Sequence, residues 1–178
     1  MDEATARRLN AINLAFYEAT ANEFHATRAT AWRGWERLLH HLHSGISVLD
    51  VGCGNGRFGV FLAERGHLPL AYHGIDSSAR LLAFARHSLM SIAGVTITLE
   101  QHDIVEALLA GESSPFEGAQ ADLVALFGVL HHIPGSELRL RLMRWLGACV
   151  RPGGILAFAC WRFYDLPRFR ERIIPWED

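Results

Sequence analysis

The chain has 178 residues, half of them apolar, which is enough for one globular domain with a buried core. Its net charge of −2 excludes a global positive field for nucleic acid, and the absence of lysine excludes Schiff-base and Walker-type phosphate chemistry. No apolar run is long enough for a membrane span, and three cysteines without metal spacing favour a reduced, cytoplasmic protein without a metal site.

Two helical stretches with apolar stripes precede the first predicted strand. They cover residues 4–20 and about 30–43, and Ser44-Gly45 ends the second. We expect residues 1–45 to form a helical N-terminal cap. The two stripes consist of Leu9, Ile12, Asn13, Phe16 and Tyr17, and of Trp32, Trp35, Leu38, Leu39 and Leu42.

Strands and helices alternate from residue 46 onward. This alternation predicts an α/β core over residues 46–161, with a three-layer, doubly wound and mostly parallel sheet. The strand pair that many such sheets add after the fifth strand is missing from the predicted elements. The predicted strands span residues 46–51, 71–75, 95–99, 121–127 and 154–160, and the predicted helices between them span 57–65, 78–92, 104–110 and 136–150.

Residues 162–178 form a tail in which arginine and aromatic side chains are interleaved. Such a pattern can bind RNA by stacking and phosphate contacts. A solvated helix over an apolar edge is the alternative, because four acidic residues dilute the positive charge. The pattern comprises Arg162, Phe163, Tyr164, Arg168, Phe169, Arg170, Arg172 and Trp176.

The turn after the first predicted strand carries the main binding motif. Asp50 precedes three alternating glycines, Gly52, Gly54 and Gly56, which permit a sharp turn and a close ligand approach at a helix N-terminus. Arg57 stands where a dinucleotide fingerprint has its third glycine, which disfavours a nicotinamide dehydrogenase. A carboxylate before the first glycine also suits a cationic ligand better than a pyrophosphate.

With this loop and four further motifs, the chain resembles the class I S-adenosylmethionine (SAM)-dependent methyltransferases over about residues 10–162. The further motifs are Gly74-Ile75-Asp76, His102-Asp103-Ile104, the strand from Asp122 to Phe127, and the turn from Arg151 to Leu156. They occur in the order found in the family. The resemblance implies a Rossmann-like sheet and SAM as the cofactor.

The resemblance also assigns roles to residues at the ends of the strands. The glycine loop is the methionine-side loop, Asp76 binds the ribose hydroxyls, Asp103 receives the adenine amine, and the end of the fourth strand faces the methyl group. Ligands of such sheets bind at the carboxyl ends of the strands, and aromatic faces attract cations such as a sulfonium. The cofactor residues predicted in this way are Asp50, Gly52, Cys53, Gly54, Gly56, Asp76, Ser77, Asp103, Ile104, Phe127 and Arg28.

The N-terminal stretch resembles the cap segment of methyltransferases that act on the tRNA wobble uridine. It contains Tyr17 and the run from Phe24 to Arg28, followed by Trp32. The resemblance implies that Arg28 clamps the cofactor carboxylate and that Tyr17 lies over the methyl pocket. An ordinary amphipathic cap helix is the alternative. Tyr17 and His131 are the candidates for catalysis, and the general base stays unassigned.

The sequence therefore predicts a SAM-dependent methyltransferase that acts on a small molecule or on a modified tRNA base. The alternative is a catalytically silent, methyltransferase-like binding protein. The methyl acceptor and the oligomeric state stay open at this point.

Overall fold

A parallel β-sheet organises the structure, a computed structural model that describes residues 1–28, 30–160 and 165–172. Over these residues the sheet has five strands in the order β3-β2-β1-β4-β5, and all neighbouring pairs are parallel. The predicted doubly wound α/β fold is confirmed, and no further strand follows β5 in the described part of the tail. The strands are β1 Ser47–Val51, β2 Leu70–Asp76, β3 Val95–Gln101, β4 Ala121–Phe127 and β5 Val150–Ala159.

Helices cover both faces of the sheet, which gives the three predicted layers. One apolar cluster contains Phe58, Phe61 and Leu89 from the helices on one face, and a second contains Leu108 and Leu142 from the helices on the other. Such burial is the main driving force of folding. The helices are α2 Arg57–Glu64, α3 Ala79–Met90, α4 Ile104–Leu109 and α5 Ser136–Ala148.

The strand order creates a topological switch point beside β1. The chain passes from β1 to β2 and β3 on one side, and β4 and β5 lie on the other. The loops after β1 and β4 therefore diverge and leave a crevice at the carboxyl edge, where ligands of open α/β sheets bind.

A long helix, α1 Glu3–Thr27, lies against α3 and α4. The face predicted for it is wrong in part, since Leu9, Ile12 and Phe16 are exposed. The helix instead buries small and polar side chains, among them Asn10. Its rotation follows from its anchors: Arg7 pairs with Glu106 of α4, and Arg80 of α3 donates to the Glu18 carbonyl oxygen at 3.1 Å.

The second stretch of the cap is a 3-10 helix over Arg33–His41. Its Trp35 is buried against Phe58, Phe61 and Phe127, with ring centroids 5.0 to 5.8 Å apart. Four of the five residues of the predicted stripe therefore pack on the core, namely Trp35, Leu38, Leu39 and Leu42. The prediction is wrong for Trp32, which is exposed and lines the cavity described below.

In the tail, the structure describes α6 Pro167–Arg170, whereas Arg162, Phe163, Tyr164 and Trp176 lie outside the described residues. No helix among the residues described combines the length and the hydropathy needed to cross a bilayer.

Candidate functional site

A cavity of about 560 Å³ lies at the carboxyl edge of the sheet. Small-molecule sites typically enclose roughly 300–1,000 Å³. The residues that line it come from the ends of the strands, from α1 and from the segment after α1. The cavity therefore occupies the crevice that the strand order predicts.

The glycine loop forms one wall of the cavity. Gly52 and Gly54 line it with φ values of +75° and +55°, a region that residues with a Cβ rarely adopt. The backbone N–H of Gly52 donates to the Ile75 carbonyl oxygen at 2.7 Å, which ties the loop to β2. A Cβ at Gly54 would lie 3.3 Å from the Phe24 ring, so glycine keeps this wall open.

Asp76, the last residue of β2, lines the cavity beside Ser77. One carboxylate oxygen accepts from the Gly54 N–H at 2.8 Å, and the other accepts from the Ser78 N–H at 2.9 Å. Burial raises the pKa of Asp76, and these backbone N–H groups oppose the rise. The carboxylate thus joins the glycine loop to the start of α3 and presents its remaining lone pairs to the cavity.

Three predicted cofactor residues lie behind the lining of the cavity. The Asp50 carboxylate is 2% exposed and accepts from the Tyr72 hydroxyl, and burial raises its pKa to about 7. Cys53 is also buried, and burial raises the pKa of its thiol. Gly56 caps α2, and a Cβ added at this position would lie 2.9 Å from the Ala85 Cβ. These residues shape the loop from the core side and do not line the cavity.

Asp103 and its neighbours line the end of the cavity next to β3. One oxygen of Asp103 caps α4 by accepting from the Glu106 N–H at 3.0 Å, and the other accepts from Asn10 Nδ2 at 2.8 Å. Ile104 and His102 line the cavity here. His102 Nε2 is shielded from solvent without a hydrogen-bond partner in the part of the chain that the structure describes. A ligand heteroatom would satisfy it.

Two arginines line the cavity near the glycine loop. The Arg28 guanidinium lies 4.1 Å from the Phe24 ring centroid, and Arg57 donates to the Thr30 carbonyl oxygen at 3.2 Å. Burial and the charge of Arg28 lower the pKa of Arg57. This corner is therefore electropositive and suited to a carboxylate. Arg57 is not among the cofactor residues predicted from the sequence, where it serves only to disfavour a dinucleotide-binding loop.

Aromatic and imidazole rings surround the remaining part of the cavity. Tyr17 and His131, the predicted catalytic candidates, both line it, but the hydrogen bond of Tyr17 is to His132 Nε2 at 3.0 Å. Burial and the adjacent His132 lower the pKa of His131 to about 4, and burial lowers that of His132. Both imidazoles are therefore neutral at pH 7. Phe127, at the end of β4, also lines the cavity and lies 6.1 Å from the Trp32 ring.

Asn10 and Asn13 line the cavity from α1, and neither is among the site residues predicted from the sequence. A usable signal is nevertheless present in the sequence. Asn10, Tyr17, Ala21 and Phe24 recur at helical spacing, and an asparagine at an otherwise core-facing position of a helix indicates a polar contact.

The residues present fit a nucleoside that carries an amino acid. The cavity offers a carboxylate for ribose hydroxyls at Asp76, acceptors for an amine at Asp103, a solvent-shielded imidazole nitrogen at His102, and an electropositive corner for a carboxylate. These groups follow one another along the carboxyl edge from β3 to β1.

A family model described as a methyltransferase domain matches residues 48–154, more than half of the chain. The chain belongs to this methyltransferase family. The match confirms the class I SAM-dependent methyltransferase resemblance stated above, and with it SAM as the cofactor of the family.

Curated proteins similar to this chain are also named as methyltransferases. The tRNA (carboxymethyluridine(34)-5-O)-methyltransferase ALKBH8 of Macaca fascicularis is 28% identical over 145 residues, which are 82% of this chain and 19% of that protein. A putative methyltransferase of Encephalitozoon cuniculi is 31% identical over 147 residues, 82% of this chain and 60% of the other. The chain thus spans only part of the length of these relatives.

The methyltransferase fold is also found in solved structures. A TehB-like SAM-dependent methyltransferase from Corynebacterium glutamicum aligns with a TM-score of 0.60 at 20% identity, covering 89% of this chain and 82% of the other. At this identity the likeness concerns the fold alone.

Proposed function

We propose that this chain transfers the methyl group of SAM to an acceptor that enters the cavity beside Tyr17 and His132. The observation that carries the proposal is Asp76, which closes β2, lines the cavity and is joined by hydrogen bonds to the glycine loop and to α3. In this proposal residues 46–161 are the SAM-binding core, and residues 1–45 close it as a cap.

Four of the predicted cofactor residues that line the cavity have a physical task on the ribose and methionine side of the cofactor. Asp76 accepts from the ribose hydroxyls, and the backbone of Gly52 and Gly54 permits close approach of the methionine part. Arg28 binds the carboxylate, and Arg57 adds a second cation nearby. Asp50, Cys53 and Gly56 act indirectly, because they lie behind the lining and hold the loop in shape.

When bound, SAM supplies an electrophilic methyl group on a sulfonium. The chain's part is to hold the acceptor in line, to exclude water and to keep an aromatic environment around the positive charge. Phe127 and Tyr17 line the cavity, so their aromatic rings can surround the positive charge of the sulfonium. His132 is a neutral imidazole bonded to Tyr17 and can accept a proton from an acceptor that must lose one.

The acceptor is a small molecule or a modified tRNA base. The ALKBH8 relative is named as a methyltransferase of carboxymethyluridine, so a carboxymethyl group is the first acceptor to test. An ionised carboxylate is already nucleophilic and needs no general base. No observation in the site favours the catalytically silent alternative.

The experiment incubates the protein with methyl-tritiated SAM and two acceptors. One is an anticodon stem-loop RNA with 5-carboxymethyluridine at the wobble position, and the other is the free 5-carboxymethyluridine nucleoside. We expect the label to appear in one of them with multiple turnovers. Retention of SAM without label transfer to either would contradict this acceptor chemistry, and failure to retain SAM in equilibrium dialysis would contradict the function itself.

A further inference from the structure

Asn10 is a buried polar residue on the side of α1 that faces the cavity and the start of α4. It is 6% exposed, it lines the cavity, and its Nδ2 donates to Asp103 Oδ2 at 2.8 Å. Burying an amide on a helix face is unfavourable unless its polar groups are used. The single hydrogen bond to Asp103 uses only one end of the amide.

The identity of the partner fixes the orientation of the amide. An ionised carboxylate only accepts hydrogen bonds, so the Asn10 group that faces Asp103 must be its NH₂. The Asn10 carbonyl oxygen therefore points away from Asp103. Within residues 1–28, 30–160 and 165–172, this oxygen accepts no hydrogen bond. Since Asn10 lines the cavity, a ligand in the cavity can donate a hydrogen bond to this oxygen.

The two residues together present two acceptor oxygens at one end of the cavity. The second oxygen of Asp103 is already engaged by the Glu106 N–H, which caps α4 at 3.0 Å. The oxygen shared with Asn10 keeps one lone pair, and the Asn10 carbonyl adds another acceptor. An exocyclic amine has two N–H donors and matches such a pair.

We propose that Asn10 is a specificity-determining residue of the cofactor site, whose carbonyl oxygen accepts one N–H of the adenine 6-amino group while Asp103 accepts the other. This inference rests on the proposed function. A 6-oxo purine would bring a carbonyl oxygen against the Asn10 carbonyl and leave both acceptors unpaired. The pair therefore selects adenine over hypoxanthine, and it couples α1 to the base.

The test compares the Kd of S-adenosylhomocysteine with that of S-inosylhomocysteine by isothermal titration calorimetry. We expect the wild-type protein to prefer the adenosyl compound, and Asn10→Ala to reduce that preference by about tenfold, the effect of one hydrogen bond. Asn10→Ser is the second variant for the case in which alanine unfolds the protein. Its hydroxyl keeps a polar group at this buried position but is too short to reach the base.

Arg7→Ala is the matched control. Arg7 also joins α1 to α4 through Glu106, but its side chain is 40% exposed and does not line the cavity. This variant should leave the preference unchanged within about twofold, even where it weakens both ligands.

An unchanged preference in Asn10→Ala and Asn10→Ser would overturn the proposal, since Asn10 would then only anchor α1. Failure of the wild-type protein to bind S-adenosylhomocysteine would instead contradict the proposed function. The two failures are distinct because the first requires measurable binding of the adenosyl compound.

Discussion

At the residue scale, two carboxylates at the carboxyl ends of neighbouring strands have different tasks because their partners differ. Asp76 lines the cavity and accepts from the backbone N–H groups of Gly54 and Ser78. Asp50 lies behind the lining and accepts from the Tyr72 hydroxyl. The sequence places both acids at strand ends, but only the structure distinguishes the acid that faces a ligand from the acid that faces the core.

The Asp50 carboxyl makes the stability of the free protein depend on pH. Burial raises its pKa from 3.8 to about 7, so between these values the folded state keeps a proton that the unfolded state has lost. The contribution of Asp50 to stability therefore falls as the pH rises through this range, by up to about 1.4 kcal/mol per pH unit. The Asn side chain of Asp50→Asn stays neutral and still accepts a hydrogen bond from Tyr72. The free energy of unfolding of this variant should therefore rise relative to that of the wild type from pH 4 to 7.

Urea unfolding of the ligand-free proteins at pH 4, 5, 6, 7 and 8 measures this difference. We expect the gap in the free energy of unfolding to grow with pH and to level off above about 7. Parallel curves for the wild type and Asp50→Asn would mean that the Asp50 carboxyl ionises in the folded protein as easily as in water.

The hydrogen bond between Tyr17 and His132 joins the cap to the segment after β4. Tyr17→Phe removes the hydroxyl and keeps the ring packing on Phe24. We expect turnover on the acceptor found by labelling to fall about tenfold, the effect of one hydrogen bond, with the Kd of S-adenosylhomocysteine unchanged within about twofold.

Phe16→Leu is the control for this change because Phe16 is the exposed neighbour of Tyr17 on α1 and does not line the cavity. Steady-state kinetics should show full turnover for Phe16→Leu. Equal turnover of Tyr17→Phe and the wild type would show that the Tyr17 hydroxyl does not contribute to methyl transfer.

At the element scale, the start of α2 depends on a glycine that does not line the cavity. Gly56 has φ +74°, and a Cβ there would lie 2.9 Å from the Ala85 Cβ on α3. Gly56→Ala should therefore lower the free energy of unfolding by about 2–4 kcal/mol, because it strains the backbone and crowds Ala85.

Gly118→Ala separates the two costs. Gly118 has φ +81°, but a Cβ at this position would have no neighbouring atom within 4 Å, so only backbone strain of about 1 kcal/mol applies. Urea unfolding at one pH compares the variants. A loss in Gly56→Ala no larger than that in Gly118→Ala would show that α2 and α3 can separate without cost.

The elements also show where sequence reasoning succeeds and where it stops. The strands are predictable from local patterns: β1 and β4 are short, mostly buried apolar runs, and the edge strand β3 alternates apolar and polar side chains. The orientation of α1 is not, because an exposed stripe of Leu9, Ile12 and Phe16 resembles a core face by composition. The anchors that decide the rotation, Arg7 to Glu106 and Arg80 to Glu18, join residues far apart in the chain.

At the scale of the whole molecule, the strand order explains most of the candidate site. Asp76 and Asp103 meet along one edge because the carboxyl ends of parallel strands share it, so a fold prediction already brings them together. The contacts of Asn10 with Asp103, of Arg57 with the Thr30 carbonyl oxygen and of Tyr17 with His132 require the structure, because they depend on how the cap lies over that edge.

The central claim is that Asp76 holds the cofactor at the carboxyl edge of the sheet. Isothermal titration with S-adenosylhomocysteine tests it in the wild type, in Asp76→Asn and in Asp122→Asn. Asp122 is the matched control, since its carboxylate accepts from the Ser47 N–H at 2.8 Å, at the start of β1, and does not line the cavity.

We predict that Asp76→Asn weakens binding by at least about tenfold, because it removes charge-assisted hydrogen bonds, and that Asp122→Asn binds like the wild type within about twofold. Thermal unfolding checks that both variants are folded at the temperature of the titration. Wild-type affinity in a folded Asp76→Asn variant, or no binding by the wild type, would contradict the account.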